Sequence, residues 1–146
     1  MKSVLVFDPG ESTGWCFQST AGTVYGGTAR RNHVEVANLI QTAQPDVVVL
    51  ERFNLYPQMA KSLSWNSFYP CETIGVIKVT CMSLGIPVVE QAPSVKKYFG
   101  GFQKDWDTIG FLPVQLEAFS KGVTEHTKDA YMHLRYFLRN GFKKFV

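Results

Sequence analysis

Two acidic residues each close a short apolar run in this sequence. Asp8 follows the run at residues 3–7, and Glu51 follows the run at residues 47–50. If the two runs form neighbouring parallel strands, about 4.8 Å apart, both carboxylates leave the sheet at the same end. Two negative charges so close are unfavourable unless one is protonated or a cation lies between them. The pattern therefore predicts a site for a hard divalent cation bound by oxygen ligands.

A third group with the same chemistry comes from the C-terminal part of the chain. His126 and Asp129 are three residues apart in a predicted helix that runs from Thr124 to about Arg139, so they project from one face. Carboxylates and an imidazole around two ions about 3.5–4 Å apart can clamp a scissile phosphate. Phosphodiester hydrolysis is the reaction that this set of residues indicates.

Each of these residues also has a simpler interpretation. Asp8 stands before Pro9 and Gly10, a sequence typical of an ordinary turn. Glu51 is equally consistent with a solvated charge. Asp129 lies early in its helix, where an acidic side chain interacts favourably with the helix dipole. The combination of the residues, more than any one of them, supports a metal site.

The elements that must position these groups follow from the hydrophobic pattern. Residues 3–7 form a buried strand, and residues 14–20 and 23–28 form two more strands in an antiparallel meander. Crossovers then add parallel strands beside the first one. We therefore predict an α/β fold with a ribonuclease-H-like mixed sheet, a three-stranded antiparallel meander plus parallel strands, flanked by helices.

Caps and breakers delimit the remaining elements. Asn32 caps a helix that Pro45 ends, a second helix spans residues 70–84 before Gly85, and a strand covers residues 86–89. A short helix opens at Pro93 and Ser94. Residues 52–69 and 100–123 lack a clear period, and we predict that they are long loops of the kind that carry function.

Length and composition predict a single domain over residues 1–146. The hydrophobic share is 45% and the charged share 18%, which excludes a disordered chain. The N-terminal apolar run is too short for a signal peptide or a membrane span, so we expect a cytoplasmic protein. Three cysteines without a metal-binding spacing, Cys16, Cys71 and Cys81, are predicted to be packing residues.

The charge is unevenly distributed along the chain. Residues 1–93 carry a net charge of −1 and residues 94–146 a net charge of +4. A basic half favours a polyanionic partner through counterion release. Charge alone is equally consistent with a surface adapted for solubility.

Four segments, in order, resemble the motifs of RuvC-like Holliday junction resolvases, especially the compact versions found in phages. They are residues 8–15 (DPGESTGW), 47–51 (VVVLE), 92–97 (APSVKK) and 126–130 (HTKDA). The resemblance implies a homodimer that makes paired nicks across a four-way DNA junction by two-metal hydrolysis. It implies two Mg²⁺ ions per site, held by Asp8, Glu51, His126 and Asp129. Many members have Asp where this chain has His126, and an imidazole suits Mn²⁺ better than Mg²⁺.

DNA contacts are predicted on both sides of these acids. Phe53 and Tyr56 are candidates for stacking on an unpaired base, a contact worth about 1–3 kcal/mol, although packing over the core is equally consistent with them. Ser94 lies at the start of a predicted helix whose first turns carry Lys96 and Lys97, and backbone N–H groups with nearby cations are suited to binding a phosphate. The full set of predicted DNA-binding residues is Arg52, Phe53, Tyr56, Ser94, Lys96, Lys97 and Lys128.

Three functions are compatible with these residues. The first is a metal-dependent endonuclease that resolves four-way junctions. The second is a nuclease of the same fold that acts on flaps, forks or structured RNA. The third is a module that binds branched DNA without cutting it. An actin-like ATPase is discounted, because such proteins need two domains to enclose a nucleotide and this chain supplies one.

Overall fold

The structure is a computed structural model that describes residues 2–53, 68–95 and 124–141. Its described part contains a five-stranded sheet with the order β3-β2-β1-β4-β5. β1 pairs antiparallel with β2, as β2 does with β3, whereas β1, β4 and β5 run parallel. The strands are β1 (Val4–Asp8), β2 (Ser12–Gln18), β3 (Val24–Arg30), β4 (Val47–Glu51) and β5 (Val88–Gln91).

β1 and β4 lie side by side in the middle of the sheet because they are apolar on both faces. Every residue of both strands is buried. Continuous apolar runs are typical of parallel strands that are covered on both sides. The predicted mixed sheet, its meander and its parallel strands are therefore confirmed.

In the part of the chain that the structure describes, three α-helices cover the two faces of the sheet. α1 (His33–Ala43) and α2 (Tyr69–Leu84) pack on one face, and α3 (Glu125–Tyr136) packs on the other. The Asn32 side chain accepts a hydrogen bond from the Glu35 amide at the start of α1, as predicted from its type. α2 ends at Gly85, which adopts φ 69°.

Alternate residues of each central strand belong to two different cores. On the side of α1 and α2, the first core contains Leu5, Phe7, Val48 and Leu50. On the side of α3, the second core contains Val4, Val6, Cys16, Val47 and Val49, together with Ala130, Tyr131, Leu134 and Phe137 of α3 and its continuation. Because side chains alternate along a strand, the next residues in the second series, Asp8 and Glu51, belong to the face that α3 covers.

Several details differ from the sequence-based expectations. β2 covers Ser12–Gln18 where residues 14–20 were predicted, and β3 covers Val24–Arg30 where residues 23–28 were predicted. β5 lies two residues later than predicted, because Pro87 has no N–H to donate and the pairing with β4 starts at Val88. The last helix changes to a π-helix at Phe137–Gly141 instead of remaining α-helical to residue 139. Cys71 is exposed, so it is not a packing residue, whereas Cys16 and Cys81 are buried as expected.

Some predictions fall on residues outside the described part. These include most of the predicted loops, residues 54–67 and 96–123, together with residues 142–146. Residues 93–95 form one turn of 3₁₀-helix where the sequence predicted a short helix. In the described ranges, no helix has both the length and the apolar composition needed to cross a bilayer.

Candidate active site

Asp8 and Glu51 lie at the ends of adjacent parallel strands. Phe7 pairs with Leu50, so the next residue of each strand is the acid. The two residues are only 9% and 8% exposed, which means that water solvates their charges poorly. Two carboxylates held this close in such surroundings favour a bound cation.

The N-terminus of α3 lies against the same end of the sheet because Gly14 has no side chain. Gly14 is the β2 partner of Asp8, and Thr28 is its partner on β3. A Cβ atom on Gly14 would overlap the backbone carbonyl group of His126 and the amide of Thr127. The missing side chain therefore lets the first turn of α3 lie directly beside Asp8.

Three threonine hydroxyls anchor this first turn. Thr127 Oγ1 donates to the carbonyl of Gly27 at 2.8 Å and accepts a hydrogen bond from the Thr124 amide at 3.1 Å. The Thr28 hydroxyl lies 2.8 Å from that of Thr124 and 3.2 Å from that of Thr127. This cluster joins the helix start to β3 and so sets the position of the residues that follow.

His126 and Asp129 are brought to the site by this docking. The Nδ1 atom of His126 lies 3.8 Å from Oδ2 of Asp8, and its side chain is about half exposed. Asp129 is half-buried and lies one helical turn further along α3. Two strand ends and one helix thus bring Asp8, Glu51 and His126 to one end of the sheet, and Asp129 lies one turn further along the same helix.

A second histidine, which the sequence analysis did not single out, also lies beside Glu51. His133 is completely buried, and its Nε2 lies 3.5 Å from Oε2 of Glu51. The Gln91 amide lies 2.9 Å from Nδ1 of the same ring. The sequence did contain a signal, since residues 126, 129 and 133 follow the 3-4 spacing of one helix face.

The donor atoms of this site suit a hard divalent cation. Asp8 and Glu51 are nearly buried carboxylates, and His126 adds a ring nitrogen next to Asp8. Oxygen ligands with an imidazole are a set that Mg²⁺ and especially Mn²⁺ accept. Across residues 2–53, 68–95 and 124–141, no three His, Cys, Asp or Glu side chains are already gathered around a single point. The chemistry of the donors fits a metal, and their final coordination would need small side-chain adjustments.

Four of the predicted DNA-binding residues lie in the described part of the chain. Arg52 is exposed, Phe53 is half-buried, and both directly follow Glu51. Ser94 is exposed in the 3₁₀ turn after β5. Lys128 lies 3.2 Å from Glu125 across one turn of α3. Tyr56, Lys96 and Lys97 lie outside the described residues.

The backbone next to Glu51 is held by one more contact between strands. The amide of Arg52 donates to the carbonyl of Gln91 at 2.8 Å, which extends the pairing of β4 with β5 beyond Glu51. Since β4 is also paired with β1, the Cα position of Glu51 is fixed from both sides. What remains adjustable is the orientation of its side chain.

The meander, the parallel strands and the helices on both faces define an α/β protein of the ribonuclease-H-like class. The chain matches no protein-family model, and no curated protein is similar enough to count as a match. Among solved structures, it is similar to Thermus thermophilus RuvC in complex with a Holliday junction substrate, with a TM-score of 0.66, 16% identity and 97% of each chain covered.

Two further solved structures share this fold. One is a second structure of Thermus thermophilus RuvC, with a TM-score of 0.58, 16% identity, and 95% of this chain and 96% of that chain covered. The other is the yeast mitochondrial Holliday junction resolvase, with a TM-score of 0.54, 12% identity, and 93% and 77% covered. The resemblance to RuvC-like resolvases found in the sequence is thereby confirmed at the level of the fold.

Proposed function

We propose that this protein is a metal-dependent endonuclease that resolves four-way DNA junctions by paired phosphodiester hydrolysis. The observation that carries the proposal is that Asp8 and Glu51 end adjacent strands of a RuvC-like sheet, with His126 on the helix beside Asp8. The structure of Thermus thermophilus RuvC with a Holliday junction substrate supports the choice of a branched DNA substrate.

The four residues would act together as the ligands of two Mg²⁺ ions, with Mn²⁺ as an alternative. When bound, such ions activate a water molecule and stabilise the leaving oxygen of the phosphodiester. Asp8 and Glu51 would hold the ions through the negative charge of their carboxylates. His126 and Asp129 close the site from the side of α3, on a helix start whose dipole also favours anionic groups nearby.

The DNA would lie across the sheet end that carries these residues. In this proposal Arg52 and Lys128 contact phosphates. Ser94, Lys96 and Lys97, which follow β5 in the chain, also contact phosphates. Phe53 and Tyr56 stack on an unpaired base near the cut. The net charge of +4 over residues 94–146 supports contacts with a polyanion.

A homodimer would explain how cuts are paired. One chain presents one carboxylate site, and two symmetric nicks need two sites related by a twofold axis. We therefore propose that two copies bind one junction and that each cuts one strand.

Cleavage of an immobile four-way junction tests the proposal directly. Each strand is labelled in turn, and a linear duplex of the same arm sequence serves as the control, in Mg²⁺ and separately in Mn²⁺. We expect symmetric nicks in two opposite strands of the junction and no cutting of the duplex. Asp8→Asn should lower the cleavage rate roughly 100-fold or more and still bind the junction.

Other outcomes would assign the site differently. Equal or preferred cutting of a flap, a fork or a folded RNA in a competition assay would indicate a nuclease with another substrate. Tight junction binding without cleavage in either metal would indicate a binding module. An intact junction with wild-type protein and no preference for branched DNA would overturn the proposal.

A further inference from the structure

The buried histidine of α3 connects two strand ends. His133 lies between Glu51 at the end of β4 and Gln91 at the end of β5, and these two residues are register partners. Its side chain is 0% exposed. The contact between His133 and Glu51 therefore links a proposed metal ligand to a side chain that solvent does not reach.

The contacts of Gln91 determine which ring nitrogen of His133 carries the proton. The Gln91 Nε2 group donates to the backbone carbonyl of His133 at 3.1 Å, which fixes the orientation of the amide. The same group lies 2.9 Å from Nδ1 of the ring. Because an amide NH₂ group only donates, Nδ1 must accept, and the proton of the neutral ring is on Nε2.

The protonated nitrogen faces the carboxylate of Glu51. The separation of 3.5 Å between Nε2 and Oε2 is a polar contact that falls short of a hydrogen bond, and Nε2 of His133 is buried without a hydrogen-bond partner among the described residues. The Glu51 side chain is only 10% exposed, so contacts inside the protein decide its orientation more than water does. A buried N–H group this close to one carboxylate oxygen attracts that oxygen and so favours the Glu51 rotamer that places it there.

Packing alone does not call for a histidine here. Its helix neighbours in the second core, Ala130, Leu134 and Phe137, are apolar and fully buried. A buried imidazole needs a hydrogen-bonding partner, whereas an apolar ring of the same size would need none. What the imidazole adds is a directed N–H group at Glu51.

We propose that His133, held in one tautomer by Gln91, is a positioning residue for the Glu51 carboxylate. The inference deepens the proposed metal-dependent nuclease function and rests on it. Partners of this kind orient metal ligands, and their loss typically weakens metal affinity or activity about 10- to 100-fold.

The first test measures the ring and the carboxylate without metal or DNA. Long-range ¹H–¹⁵N correlation spectra of the histidine rings should show the proton of His133 on Nε2. Gln91→Met keeps a side chain of similar length and removes the amide, so the ring should lose this single tautomer. The carboxyl ¹³C signal of Glu51 should shift in both Gln91→Met and His133→Phe.

The second test measures binding of Mn²⁺ alone by titration calorimetry. His133→Phe should weaken Mn²⁺ binding about 10- to 100-fold. His133→Gln retains an N–H donor and should recover part of the loss. Leu134→Ala, a cavity variant of an apolar residue in the second core on the same helix, should lower the melting temperature and leave Mn²⁺ affinity unchanged.

Junction cleavage then separates this inference from the proposed function. In an active enzyme, His133→Phe should lower kcat and leave KM for the junction unchanged. If the wild-type protein cuts no junction, the proposed function fails, while the spectra and Mn²⁺ binding still decide the role of His133. A proton on Nδ1, or a His133→Phe variant with unchanged Glu51 signal and Mn²⁺ affinity, would overturn the inference.

Discussion

At the scale of single residues, the two strand-end carboxylates oppose the stability of the metal-free protein. Asp8 and Glu51 are both largely buried, and each negative charge raises the electrostatic free energy of the other. A divalent cation that binds only the folded state adds stability by RT ln(1 + [L]/Kd), about 2.7 kcal/mol when its concentration is 100 times Kd. We expect Mn²⁺ to raise the melting temperature of the wild type relative to EDTA.

Asp8→Asn should remove this response because it removes one charge at nearly constant shape. In EDTA the variant should melt at the same temperature as the wild type or higher, and Mn²⁺ should then add little. Differential scanning calorimetry in both solutions measures the two shifts. An equal Mn²⁺ shift in wild type and variant would show that the ion binds elsewhere.

Gly14 is the residue that allows α3 to approach Asp8. An added methyl group would overlap the backbone of His126 and Thr127, so Gly14→Ala must push the helix start away from the sheet. We expect a loss of about 1–3 kcal/mol of unfolding free energy and a large loss of cleavage activity. Urea denaturation and the junction assay measure the two effects.

Gly75 provides a matched control for the same substitution. It is exposed in α2, and a Cβ atom there meets nothing within 4 Å. Gly75→Ala should raise the unfolding free energy by about 0.5–1 kcal/mol because alanine favours the helix, with activity unchanged. If Gly14→Ala behaved like Gly75→Ala, α3 would not depend on this close approach.

At the scale of elements, the threonine cluster determines how accurately α3 is placed on the sheet. Thr127 is fully buried, and its hydroxyl bonds to Gly27 on β3 and to the helix start at Thr124. Thr127→Val retains the shape and leaves these backbone groups without that partner, which should cost about 1–3 kcal/mol of stability. Thr127→Ser keeps the hydroxyl and should retain more of both stability and cleavage activity.

The activity ratio of the two Thr127 variants is the decisive measurement. Both variants are assayed well below their melting temperatures, so that the folded fraction is the same. We expect Thr127→Val to cleave more slowly than Thr127→Ser, because His126 and Asp129 are carried by the helix turn that the hydroxyl anchors. Equal rates would mean that the cluster contributes to stability only.

The sequence predicted those elements that are defined by local patterns of residue type and residue spacing. The apolar runs before Asp8 and Glu51, the cap at Asn32 and the stop at Gly85 are local signals, and each lies where it was expected. The predicted start of β5 was wrong. The apolar run includes Pro87, but the strand begins only where pairing with β4 starts. The π-helix at Phe137–Gly141 depends on how α3 meets the core, which no local pattern expresses.

The candidate site was predictable to a similar extent. Strand parity and register bring Asp8 and Glu51 to one face, and the docking of α3 brings His126 to within 3.8 Å of Asp8. His133 was missed because its role depends on Gln91, a residue 42 positions away in the chain. A contact between distant segments appears only when the sheet register and the docking of α3 are known together.

At the scale of the whole molecule, one sheet separates two cores, and each core contains one buried thiol. Cys81 belongs to the core under α1 and α2, whereas Cys16 belongs to the core under α3. Cys71 is exposed on α2. Because β1 and β4 contribute side chains to both cores, we propose that the described part of the chain unfolds as one cooperative unit.

Thiol labelling measures this cooperativity. Burial raises the pKa of the Cys81 thiol from its ordinary 9.0 to about 11, and burial also raises the pKa of Cys16. Since the thiolate is the reactive form, only Cys71 should react rapidly with iodoacetamide in native protein at pH 8. In increasing urea, Cys16 and Cys81 should become reactive with the same midpoint, as resolved by mass spectrometry of the peptides. Two separate midpoints would show that the two faces of the sheet open independently.

The same thiols make the stability of the protein depend on pH in the alkaline range. A folded-state pKa above the unfolded-state value means that the folded protein keeps its proton while the unfolded chain loses it. The stabilisation is therefore complete below pH 9.0 and is lost as the pH rises from 9.0 towards about 11 for Cys81. We expect the unfolding free energy, measured by urea denaturation, to fall over this range by up to about 1.4 kcal/mol per pH unit and per buried thiol. Cys71→Ser changes only the exposed thiol, so its unfolding free energy should fall in the same way. An unfolding free energy that stays constant to pH 11 would mean that the thiols are not shielded in the folded state.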